Sequence, residues 1–181
     1  MRIEIHCEAI RRNAEGAVRA CAAHGIEVVG VTKACCGHPD VARAMLAGGI
    51  RRLADSRVHH IRRLRQAGIE AEMMLLRLPR ASEADEVVRL AQVSLNSEVE
   101  TVRALSRAAQ RAGVLHRVIL MIETGDRREG VMPEDALDTA RAIVRLPGIE
   151  LAGLGSNLAC IGGVLPTREN MQRLVDVVER V

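Results

Sequence analysis

One lysine stands among 26 basic residues, and the other 25 are arginines. That lysine, Lys33, directly follows the apolar run E-V-V-G-V-T (27–32). Arginine can replace lysine on a solvated surface, where only the charge counts, but not as a nucleophile. Its guanidinium stays protonated, whereas a partly desolvated lysine amine loses its proton. Only the neutral amine can form a Schiff base with an aldehyde. Carbonyl chemistry at Lys33 is therefore open. A chance surface lysine at a strand end remains the plain alternative, because codon usage alone can make lysine scarce.

Two other groups could do chemistry. Cys35, Cys36 and His38 cluster just after the lysine, but adjacent cysteines are poorly placed to ligate one zinc, whose usual pairs are separated by two to four residues. No C-x-x-C occurs in the sequence, and no metal site is expected. The five cysteines (Cys7, Cys21, Cys35, Cys36, Cys160) are odd in number and follow no disulfide spacing. They read mainly as small apolar residues in a reducing compartment. His59-His60 lies within a helical pattern and reads as polar surface.

The elements that must position Lys33 follow from the hydrophobic pattern. Arg2–Ile5 suggests a short strand, and a helix near Glu8–His24 ends at Gly25. Strand Glu27–Thr32 is followed by a loop through Gly37 and a helix opening at Pro39, where proline suits a first turn. The alternation continues with strands at Arg52–Ala54, Glu72–Leu76, Val93–Leu95, Arg117–Ile122 and Glu150–Leu154. Helices are expected at Val58–Ala67, Ser82–Leu90 (capped by Ser82), Ser97–Ala112, Pro133–Arg145 and Thr167–Arg180 (capped by Thr167). Ser97 opens an S-E-V-E capping box, and Gly113 ends its helix. Strands alternating with crossover helices mean a parallel sheet, and the nearly continuous apolar strands agree. A doubly wound sheet and a barrel both fit. In either, sites form at the carboxyl ends of the strands, where Lys33 lies.

Composition excludes several classes. The charge of +3 is modest and spread along the chain, and aromatic residues are absent. Nucleic-acid binding calls for clustered basic residues and often for aromatic platforms. The densest basic cluster, Arg62, Arg63 and Arg65, reads as a solvated helix face. No apolar run approaches the roughly 20 residues of a membrane span. The N-terminus becomes charged and helical at once, unlike a signal peptide, so a cytoplasmic protein of one domain (1–181) is expected.

At V-T-K-A-C-C-G-H-P the sequence resembles the alanine racemase N-terminal superfamily, in particular its ornithine racemase-like branch. Supporting segments follow in order: L-A-D-S-R (53–57), L-L-R-L-P (75–79), S-L-N-S-E (94–98), I-E-T-G-D-R-R-E-G-V (122–131) and G-S-N-L-A-C-I-G-G-V-L-P-T (155–167). The resemblance implies an α/β fold, a parallel (β/α)8 TIM-type barrel, with pyridoxal 5′-phosphate as cofactor and an amino acid as substrate. Lys33 would form the internal aldimine and move the substrate α-proton. Arg128, matched from T-G-D-R-R-E-G, would reach the cofactor's phenolate or ring, although pairing with Glu129 or Asp126 explains it too. Asn157, in G-S-N-L, would pack against the pyridine ring or, more plainly, serve a turn. Asp55 ends a strand on the same expected face and could orient Lys33 or Arg57, or cap a helix.

Some features depart from the family pattern. Cys35-Cys36-Gly37 stands where alanine racemases continue to a phosphate-holding tyrosine. Six barrel strands are counted where a complete barrel has eight, and the chain stops at D-V-V-E-R-V. A C-terminally incomplete barrel is expected, lacking the strands that carry the phosphate cradle and the C-terminal domain that supplies the second acid/base. Cys36 and Cys160 are candidates for that role only as thiols able to titrate. The leading expectation is a pyridoxal-phosphate-dependent, ornithine-like racemase. A non-catalytic cofactor-binding protein of vitamin B6 homeostasis and an inactive fragment are the alternatives. Open sheet edges leave a homodimer possible.

Overall fold

In the computed structural model, residues 4–159 and 163–181 are described. The chain forms two compact units, one ending at Arg77 and the other running from Leu78 to Val181. Each is built of parallel strands joined by helices.

The first unit contains α1 (Cys7–Ala22), β1 (Val29–Val31), α2 (Pro39–Ala47), β2 (Arg52–Asp55), α3 (Val58–Gln66) and β3 (Glu72–Leu75). β1 pairs with β2 and β2 with β3, both parallel, with Gly30 opposite Leu53 and Leu53 opposite Met73. Leu53, Ile61, Leu64, Met73 and Leu75 are fully buried and form the core. Small residues allow α1 and α2 to approach closely. A Cβ on Gly48 would lie 2.4 Å from the Arg11 carbonyl oxygen and 2.7 Å from Ala14 Cβ. At the opposite end of the strands from Lys33, Arg52 bridges Glu27 and Glu72 at 3.2 and 3.0 Å.

The second unit contains α4 (Ala84–Leu90), β4 (Val93–Asn96), α5 (Val99–Ala112), β5 (His116–Met121), α6 (Ala136–Val144), β6 (Ile149–Gly155) and α7 (Arg168–Arg180). β4 pairs with β5 and β5 with β6, again parallel. All four residues of β4 are buried, as expected of a parallel strand covered on both faces. α5 buries Val102, Leu105, Ala108 and Ala109, a stripe of helical period. Gly113 ends it in the left-handed conformation at φ 65°.

The six expected strands all form, and the boundaries differ where local chemistry decides. Ser82 is not a helix cap, because residues 81–83 make a 3₁₀ turn and α4 begins at Ala84. Ser97 does not cap α5 either. Its Oγ is buried without a hydrogen-bond partner, and the helix opens two residues later. α6 starts at Ala136, after a run of turns, instead of at Pro133. Thr167 does cap α7, in a reciprocal box with Asn170. Glu4 and Ile5 form no strand, and the rest of the Arg2–Ile5 expectation lies outside the described residues.

Candidate active site

Lys33 sits where β1 gives way to a tight turn. The ladder runs one residue past the strand, with the Thr32 N–H donating to the Ala54 carbonyl at 2.9 Å. The chain then winds into a 3₁₀ turn over Lys33–Cys35, closed when Cys35 and Gly37 N–H both donate to the Thr32 carbonyl at 3.1 Å. Cys36 is left-handed at φ 53° and Gly37 follows at φ 64°. A Cβ on Gly37 would meet His60 Cβ at 2.8 Å, so glycine lets the turn press against α3. Arg63 fixes it from the same helix, donating to the Cys36 carbonyl at 2.8 Å.

Beneath this turn lies a buried polar hub. Asp55, fully buried, accepts from Thr32 Oγ1 at 2.7 Å and from the Arg57 N–H at 3.0 Å. Its Oδ1 also bonds His60 Nδ1 at 2.8 Å. The Asp55 side chain therefore ties β1 and β2 to α3 and fixes the residue before the lysine. His60 is 6% exposed, so the reading of His59-His60 as polar surface fails for His60. The buried carboxylate five residues upstream draws its ring inward. Lys33 is exposed and, among the described residues, its amine makes no ion pair or hydrogen bond.

The second unit gathers its polar residues at the same kind of place, beyond the carboxyl ends of β5 and β6. The segment after β5 folds back on itself. The Glu123 N–H donates to the Val131 carbonyl at 2.9 Å and the Val131 N–H to the Met121 carbonyl at 2.8 Å. Gly130, at φ 123°, makes the crossing possible, since a Cβ there would lie 2.6 Å from the Glu123 nitrogen. Within this loop Glu129 receives Arg128 Nη2 and Asn157 Nδ2 on the same carboxylate oxygen, Oε1. Thr124 and Ser156 hydroxyls bond each other at 2.5 Å. Arg128 and Asn157 are thus brought together through Glu129, the pairing expected as the plainer alternative for Arg128. The sequence reading missed Glu129's bridging role, which takes two loops well separated along the chain. Lys33 belongs to the first unit and this cluster to the second. Cys36 is exposed on the lysine turn, and Cys160 lies outside the described residues. No group of three metal-ligating side chains occurs among the described residues.

A second buried network lies deeper in the same unit. Ser94 Oγ and His116 Nε2 are 2.8 Å apart, and Asn96 Nδ2 donates to Ser94 Oγ at 2.9 Å. Burial pushes the His116 imidazole down to about 4, with the Ala91 carbonyl opposing and the Arg117 charge adding to the shift.

Parallel β/α units whose polar side chains follow the carboxyl ends of the strands define the α/β class of enzymes and binding proteins. More narrowly, this chain belongs to the alanine racemase N-terminal domain family, whose model matches residues 5–181. It is similar to the ornithine racemase of Acetoanaerobium sticklandii, 34% identical over 181 residues, which cover 99% of this chain and 51% of that protein. It is also similar to the lysine racemase of Thermotoga maritima, 36% identical over 180 residues, covering 99% and 50%. Among solved structures, the alanine racemase from E. faecalis superposes on 96% of the chain and 49% of its own, with TM-score 0.80 and 19% identity. The fold is therefore that of the racemase barrel, as expected, and the chain spans about half the length of the curated relatives it matches. No helix among the described residues is long and apolar enough to cross a membrane.

Proposed function

We propose that this chain carries the cofactor-bearing part of a pyridoxal-phosphate-dependent racemase of a basic amino acid, of the ornithine or lysine kind. Lys33 would be both covalent anchor and the base that moves the α-proton on one face. The observation that carries this is the placement of the one lysine of the chain. It stands at the carboxyl end of β1 with its amine unpaired among the described residues, on a turn fixed by the buried Thr32–Asp55–His60 hub. That arrangement fits an aldehyde-bearing cofactor, because the amine is open to attack a carbonyl while its backbone is held. When bound, pyridoxal phosphate supplies an electron sink for the carbanion left at the α-carbon. The names of the two curated relatives support the basic substrate.

Arg128 would donate to the cofactor's phenolate region, with its guanidinium held by Glu129, and Asn157 would lie against the ring. Both roles rest on the resemblance of their motifs. The test is α-proton exchange. In deuterated buffer with pyridoxal phosphate, L-ornithine or L-lysine should take up deuterium at Cα and yield the D-isomer, and Lys33→Ala should abolish both. Cofactor attachment at Lys33 without any exchange would instead support a binding protein that does not turn over.

A further inference from the structure

The last helix of the second unit leaves an apolar ridge uncovered. α7 turns Asn170 and Val177 inward, and these are its two buried residues. One position on, about 100° round the helix, Met171, Val175 and Val178 stand at i, i+4 and i+7 and form one line. They are 43%, 44% and 52% exposed, and the half-buried Leu174 widens the line towards the core. Single exposed apolar side chains are ordinary, but a contiguous apolar ridge in water marks a docking surface. The helix that carries it is firmly built. The Thr167–Asn170 box closes its first turn, and Arg173 pairs with Glu169 at 2.7 Å.

The charges beside the ridge indicate what covers it. On the side turned away from the core it is flanked by Arg168 at the start of the helix and Glu179 near its end, both exposed. A second α7 laid antiparallel along the ridge sets Arg168 against the partner's Glu179, and Glu179 against the partner's Arg168. In that register Met171 lies opposite the partner's Val178, and Leu174 opposite the partner's Val175. A parallel copy would set like charges together instead. The ridge and its flanking charges are thus complementary to themselves, as a two-fold contact between identical chains requires.

We infer that the Met171–Val175–Val178 ridge is the interface of a homodimer in which two copies of α7 pack antiparallel. The inference does not depend on the chemistry at Lys33. One helix pair lies at the small end of specific interfaces, so the dimer should be reversible, with a dissociation constant of about 10–100 µM.

Sedimentation velocity of the full chain over a concentration series tests this. The mass should rise from monomer to dimer as concentration rises. Val175→Glu sets two carboxylates close to the two-fold axis and should leave a monomer throughout. Its melting temperature, taken at a dilution where the parent is also monomeric, should be unchanged because Val175 is exposed. Arg168→Glu and Glu179→Arg should each weaken association about tenfold, since each sets like charges together at both ends. An equimolar mixture of those two variants should recover the parent's affinity, because every opposed pair then carries opposite signs. A chain that stays monomeric through the series would assign the ridge to a different partner and overturn the inference. So would a dimer that survives Val175→Glu, or a mixture that associates no better than either charge variant alone.

Discussion

At the scale of single residues, Asp55 carries the heaviest structural duty in the first unit. It is fully buried and accepts from a hydroxyl, a backbone N–H and an imidazole. Asp55→Ala would leave the buried His60 imidazole without its carboxylate and the Thr32 hydroxyl with the Ala54 carbonyl as its remaining acceptor. Removing one partner of such a buried set costs about 3–5 kcal/mol, read as a fall in the urea midpoint. A loss under about 1 kcal/mol, typical of an exposed site, would contradict the hub. The position of Lys33 at the end of β1 was legible in the sequence, because a lone lysine after an apolar strand is a local signal. The Asp55–His60 contact was not, since it depends on α3 turning one ring inward. Arg128 and Asn157 were singled out only through motif likeness, and their shared partner Glu129 needed the fold.

At the scale of elements, the alternation of apolar strands and amphipathic helices specified all six strands and the order of the helices. What it missed were starts and caps. Ser97 looks like a cap because a serine precedes a glutamate by three residues, yet its hydroxyl is buried and unpaired and α5 begins at Val99. The identical logic succeeded at Thr167, whose side chain does accept from the Asn170 N–H at 3.2 Å. The loop joining β5 to α6 depends on one glycine. Gly130→Ala would place a methyl 2.6 Å from the Glu123 nitrogen and 2.7 Å from the Ile122 carbonyl carbon at a φ that L-residues avoid. The loop must open, at a cost of about 1–3 kcal/mol. The pairing of Glu129 with Asn157 should be lost, visible as a shift of the Asn157 side-chain amide resonances. Unchanged resonances and stability would contradict the crossing.

At the scale of the whole molecule, stability should depend on pH through His116. Burial lowers its folded-state value to about 4 from 6.5, so the unfolded chain binds a proton over a range in which the folded chain does not. The contribution is therefore fully present above pH 6.5 and is lost as pH falls towards 4. Its upper bound is about 3 kcal/mol. A urea series across that window should show the loss, and His116→Gln should flatten it. An equal slope in the variant would assign the dependence to other groups. The aliphatic core of this aromatic-free chain needs no special device: each unit closes on leucine, isoleucine, valine, alanine and methionine.

The most direct test of the central claim uses the scarcity of primary amines. The purified chain is incubated with stoichiometric pyridoxal phosphate, reduced with borohydride, digested and mapped by mass spectrometry. The amine of Lys33 and the N-terminal amine are the two that the sequence offers. The account predicts that the label lies on Lys33 and not on Met1, and that Lys33→Arg abolishes it. Weak and equal labelling of both amines, or labelling that persists in the variant, would contradict a built cofactor site at the end of β1.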